Sequence, residues 1–154
     1  MSGAYNNNFT IFQGSDTVVI QYEMIHESRI VAMDGRPHTS VQQYLGESRG
    51  HWEGDTLVVE TTNFRPDLAF RGASEKMKLV ERFTRTSPDT MMYEFTVTDP
   101  STWTRPFTAQ MPVTKNAEDV YEYACHEGNH GMFGILSGAR AQEKAAEASK
   151  KGSN

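Results

Sequence analysis

Two runs of alternating residues, each turned back on itself within a few positions, restrict this chain more than any other feature. Residues 49–52 and 56–64 flank Glu53-Gly54-Asp55. A glycine between carboxylates, set between two strand-like runs, is a hairpin signal. In the return run, TLVVETTNF, Leu57, Val59 and Thr61 fall on one side, and Val58, Glu60 and Thr62 on the other. Ser87-Pro88-Asp89 likewise turns residues 77–86 back into residues 90–98. There Met91, Tyr93, Phe95 and Val97 share one face and Met92, Glu94 and Thr96 the opposite one. A period of two is the signature of strands and not of an amphipathic helix.

The rest of the chain extends the pattern. Residues 5–12 suit a short edge strand. Residues 17–25 put Val18, Ile20, Tyr22 and Met24 on one face, with His26 next in phase. A turn at 26–28 leads into a strand over 28–33, and Asp34-Gly35 turns again before a polar connection through Gly46. Residues 104–114 read as a strand whose Pro106 and Pro112 suit an edge or a bulge. A last strand is predicted from residue 120 to Gly128. Residues 141–151, AQEKAAEASKK, favour a helix by propensity, and Met132, Phe133, Ile135 and Leu136 form a short helix-like apolar cluster before it. About seven to nine strands joined by tight turns predict an all-β fold, an antiparallel meander forming a small lipocalin-like barrel with a short C-terminal helical segment. A twisted sheet covered by the C-terminal segment is the alternative. Residues 1–140 are expected to be the single barrel domain and 141–154 a polar helical or disordered tail.

Composition narrows the functions. The chain has 154 residues, enough for one domain with a proper core. Its net charge of -5 and the lack of a basic stripe argue against nucleic acid as partner. Mean hydropathy is -0.61, and no apolar run approaches the roughly 20 residues of a membrane helix, so no membrane partner is expected. The single cysteine excludes an internal disulfide and a multi-cysteine zinc site. The first residues lack the charged start and apolar core of a signal peptide.

Chemistry concentrates in residues 120–131, VYEYACHEGNHG, which hold two tyrosines, two glutamates, the cysteine and two of the five histidines. His126-Glu127-Gly128-Asn129-His130 matches HExxH formally, but that motif needs a helix, and Gly-Asn favours a turn. A second arrangement is assembly at a distance. His26 and His126 end strands and His38 follows a Gly-Arg-Pro turn, so all three are expected at one rim of a barrel. Three imidazoles plus a water make a catalytic zinc site. Each histidine taken alone more often caps a turn. Glu23, Glu60, Glu81, Glu94 and Glu122 sit in mid-strand. They point to water if the inner face is a packed core, or act as acid or base if it is a polar cavity. Buried arginine usually pairs with carboxylate, so Arg82 and Glu94 are a candidate pair. Asp34 is a candidate partner for His26 or His38, and Arg36, Tyr123 and His130 are candidates to orient a ligand or substrate.

The chain resembles a family of bacterial proteins, mostly exported and longer than this one, that brings no settled activity. The resemblance rests on AYNNNFTIFQ, YEMIHESRIVAMDGRPH, YLGESRGHWEGDTLVVETTNF, FRGASE, LVERFTR, YEFTV and YEYACHEGNHGMFGILSGAR. It implies a secreted or periplasmic location and a segment upstream of this one. It marks His26, His38 and His126, with Asp34, Arg36 and Glu127, as the matching residues, whereas His130 stands where the family often has tyrosine.

The functional expectation is a metal-dependent hydrolase. Zinc (Zn2+) would be held by His26, His38 and His126, with Glu127 first and Glu94 second to take a proton from metal-bound water. Its substrate would be a small ester, phosphoester or glycoside. The rivals are a lipocalin-like module that binds an apolar ligand through Tyr22, Met24, Met91, Tyr93, Phe95 and Tyr123, and a homo-oligomer assembled through edge strands.

Overall fold

The structure is a computed structural model, and it describes residues 7–66, 72–124 and 130–151. Eight strands form one sheet in sequence order: β1 (Phe9–Gln13), β2 (Thr17–Tyr22), β3 (Ser28–Ala32), β4 (Glu47–Glu53), β5 (Thr56–Thr62), β6 (Lys78–Ser87), β7 (Thr90–Thr98) and β8 (Phe107–Thr114). Among the described residues one helix, α1 (Gly131–Lys151), follows. The chain forms two compact units, residues 1–122 and residues 123–154.

Both hairpins read from the sequence are present, with Arg49 opposite Glu60 and Phe83 opposite Tyr93. The sheet is mixed and not a pure meander. β3 and β4 run parallel, with Val31 opposite Ser48 and Ala32 opposite Arg49. Parallel neighbours need a long return path, and residues 33–46 provide it. The sheet curls into a half-barrel; the closed barrel is not seen, since the strand order ends at β1 and β8.

The registers sort the side chains. One face carries Val18, Ile20, Tyr22, Val31, Leu57, Val59 and Phe83, packed as one core with Phe9, Ile11, Met91 and Tyr93 against it. On the same face Leu79, Phe95 and Val97 join Phe64, Ala73 and Met77 from the β5–β6 connection in a second cluster, which Tyr93 also contacts. That connection plugs one end of the curl. The plug depends on Gly46 (φ +72°), where a Cβ would sit 2.7 Å from Thr61 Cγ2 and 2.8 Å from the Phe64 ring.

Three expectations from the sequence are corrected. Of the strand expected over 120–128, residues 120–124 show only an isolated bridge at Tyr123, with Tyr121 and Tyr123 exposed, and residues 125–128 lie outside the described residues. The eighth strand starts at Phe107, beyond Pro106. The helix begins at Gly131 and takes in the apolar cluster 132–136 that precedes the alanine-rich segment. Among the described residues no helix is long and apolar enough to cross a membrane.

Candidate functional site

The open end of the curl lies opposite the plug. It is a cleft of about 660 Å³ lined by Ile11, Val18, Leu57, Phe83 and Met91, with Trp52, Gln13, Asp55 and Arg85 at its rim. The apolar liners come from five strands, each in phase with the core face. Trp52 is half exposed because it lies in the last turn-side position of that face, where β4 runs out into Glu53-Gly54-Asp55. An apolar cavity of this size with a few polar groups at its edge suits a small organic molecule.

Below the cleft lies a buried polar cluster. Arg29 and Glu81, 2% and 1% exposed, form an ion pair with Nη1 and Oε2 2.6 Å apart. Tyr93 Oη donates to Glu81 Oε1 at 2.7 Å, and its ring stacks on Phe83 with centroids 4.9 Å apart. Burial alone would push the Arg29 guanidinium down, but the Glu81 carboxylate holds it raised. Burial would likewise raise Glu81, yet Arg29 and the Tyr93 hydroxyl keep it lowered and ionised. Tyr93 is pushed up by burial and by Glu81. Tyr22 is raised by burial as well, against the pull of Arg29. This cluster is a charged pair, not an acid–base pair poised near neutrality.

The opposite face of the sheet carries a charge network around the returning connection. Glu47 accepts from Arg49 Nη2 at 2.6 Å, the Thr39 amide at 2.8 Å and Asn63 Nδ2 at 2.9 Å. Burial would raise its carboxyl, but these donors hold it at about 2. Asp34 accepts from Arg36 Nε at 2.7 Å and from Arg49 Nη1 at 3.1 Å, and the Arg36 contacts hold its carboxyl at about 2.

The predicted site residues fall into separate places. His38 belongs to the charge network, its Nδ1 3.5 Å from Glu47 and its Nε2 3.5 Å from Glu60. Glu60 also pairs with Lys78 at 2.6 Å. Asp34 and Arg36 bond each other, so Asp34 is engaged by arginines and not by either histidine. His26 sits in the β2–β3 turn at φ +48°, beside Ile25 at φ +49°. Its Nε2 is buried without a hydrogen-bond partner among the described residues. Glu94 lies on the same face as Arg82, in a shallow hollow of about 280 Å³ with Thr84, Met92 and Gln110. The register sets Arg82 opposite Glu94, but Arg82 Nη2 reaches Glu53 at 2.8 Å. Tyr123 and His130 are exposed and belong to the second unit. His126 and Glu127 lie outside the described residues, as does Cys125. Among the described residues no three histidine, cysteine, aspartate or glutamate side chains gather as a metal site.

The sequence marks Glu81 as a candidate acid or base and Tyr93 as a candidate lining residue, but not their joining with Arg29 in one buried cluster, and not Trp52. A signal for the cluster was present: Glu81 is in phase with Leu79 and Phe83, and Arg29 with Val31. A charge on the apolar register of a strand marks a buried pair. No family model, curated protein or solved structure matches the chain.

Proposed function

We propose that this chain is a binding module for a small apolar molecule, held in the cleft at the open end of the curled sheet. The observation that carries the reading is the cleft itself. Ile11, Val18, Leu57, Phe83 and Met91 converge on about 660 Å³ beneath a half-exposed Trp52. A large exposed aromatic over an apolar hollow offers contact area that water does not use well. The resemblance to exported bacterial proteins adds a location, periplasmic or secreted, where such a module would meet its ligand.

The test is binding of apolar probes followed by tryptophan fluorescence and calorimetry. Trp52→Ala is expected to weaken binding by about tenfold or more, with thermal stability nearly unchanged because the side chain is half exposed. Equal affinity in the variant and the parent would overturn the assignment of the cleft.

One observation favours a second reading, the metal-dependent hydrolase. Ile25 and His26 both hold left-handed conformations that side chains with a Cβ adopt at a cost, and such strain gathers at functional turns. The turn keeps a buried His26 Nε2 without a hydrogen-bond partner among the described residues. In this reading His26 contributes an imidazole to a zinc ion that activates a bound water. Tag-free protein should then carry one metal ion per chain and lose thermal stability on chelation. Metal-free protein whose unfolding is indifferent to chelator would dismiss it.

A further inference from the structure

We infer that the cleft's ligand carries an uncharged oxygen acceptor, the carbonyl of a ketone, ester or amide, and that Arg29 is the group that receives it. The inference rests on the binding reading above and adds the chemistry of the ligand's polar end.

A guanidinium presents five N–H donors in a fixed fork. In Arg29 only one edge is used: Nη1 faces Glu81. Nε and Nη2 are buried and have no hydrogen-bond acceptor among the described residues. Donors in a desolvated cation are the groups a fold leaves unmet least often. Their position fits the cleft. Arg29 lies opposite Ile20, which is two residues along β2 from the cleft-lining Val18. Glu81 is two residues along β6 from the cleft-lining Phe83. Two residues along a strand span about 7 Å, so the fork lies one layer of side chains beneath the cleft's apolar lining. Arg29 does not itself line the cleft, so a ligand seated against Phe83, Met91 and Trp52 meets the fork only by passing its inner end between the lining side chains.

Charge selects the kind of acceptor. Arg29 and Glu81 together are neutral, and Tyr93 already donates to Glu81. A carboxylate or phosphate added there would place a second anion in the same buried space, at a large desolvation cost. A cation would meet the unused face of a guanidinium. A carbonyl oxygen accepts from Nε and Nη2 and changes no charge.

Three probes of similar body separate the possibilities: acetophenone, ethylbenzene and benzoate, titrated into the full chain and followed by amide and arginine Nε–H resonances. Acetophenone is expected to bind at least about tenfold more tightly than either of the others, the gain of a hydrogen bond to a charged donor. It should also shift the Arg29 Nε–H resonance. In the R29M/E81L double variant, which removes the pair without leaving a lone charge, acetophenone and ethylbenzene should bind alike. If ethylbenzene matches acetophenone in the parent protein, or benzoate exceeds it, the carbonyl assignment is wrong while the binding module stands. If none of the three moves the resonances of Trp52, Leu57 and Phe83, the binding reading fails and this inference with it. The probe series on the parent decides the matter even if the double variant does not fold.

Discussion

Glu81 shows how much one side chain carries in this molecule. It is buried, it neutralises Arg29, and it receives the Tyr93 hydroxyl. Replacing it with leucine leaves a guanidinium charged and unpaired in the core, which typically costs about 3–5 kcal/mol. Glu81→Leu should therefore lower the urea midpoint sharply. R29M/E81L should recover most of the loss, because well-packed apolar groups often replace a buried pair without penalty. A double variant as unstable as the single one would show that the pair does more than neutralise itself. The same residue marks what could be read in advance. The expectation for a packed inner face is that mid-strand glutamates point to water, and Glu81 is instead buried; its phase with Leu79 and Phe83 carries that, but a glutamate after a valine looks the same as Glu60, which is half-buried on the opposite face and paired with Lys78. Which residue a charge meets depends on strands far away in sequence, and alternation does not encode that.

Among the described elements, the β2–β3 turn holds two adjacent residues with positive φ. Glu27 donates its amide to the Met24 carbonyl at 3.1 Å, so Ile25 and His26 are the two central residues, both with positive φ. Such turns favour Asn-Gly. I25N/H26G should raise stability by about 1–3 kcal/mol, measured by thermal or urea unfolding; a loss would mean that Ile25 or His26 makes packing contacts that outweigh backbone strain. Hairpins with ordinary turn chemistry were legible. Glu53-Gly54-Asp55 and Ser87-Pro88-Asp89 both turn as their residues require, and the apolar series 91, 93, 95 and 97 faces the core as its spacing demands. The parallel β3–β4 pair was not legible, because residues 33–46 look like any polar connection until Glu47 is seen gathering Thr39, Arg49 and Asn63 around it. Residues 120–124 alternate as a strand would, yet only Tyr123 makes a bridge; alternation alone does not supply a ladder.

For the molecule as a whole, acid is the expected weakness. Glu47 and Asp99 are held at about 2 in the fold, against ordinary values of 4.5 and 3.8. Burial would raise Asp99 also, but the Ser74 and Ser101 amides and the Thr102 hydroxyl bind its carboxylate. Carboxyls lowered by folding contribute stability that is complete above their unfolded values and vanishes as pH falls through the folded ones. The unfolding temperature should hold steady down to about pH 4.5 and then drop steeply toward about pH 2. An E47Q/D99N variant should start less stable and decline less over that interval. A parallel decline in both proteins would assign the acid sensitivity elsewhere. Each of these carboxylates anchors a long connection, Glu47 the path from β3 to β4 and Asp99 the segment around residues 72–74, so acid should loosen the loops before the ladders. Strands β1–β3 and strands β4–β8 are each a local zigzag, and among the described residues β3 and β4 stitch one to the other through two aligned residue pairs. The hollow draws on both sets, with Ile11 and Val18 from one and Leu57, Phe83 and Met91 from the other. Whatever occupies it acts as a fastener, clasping two halves that the backbone alone joins weakly.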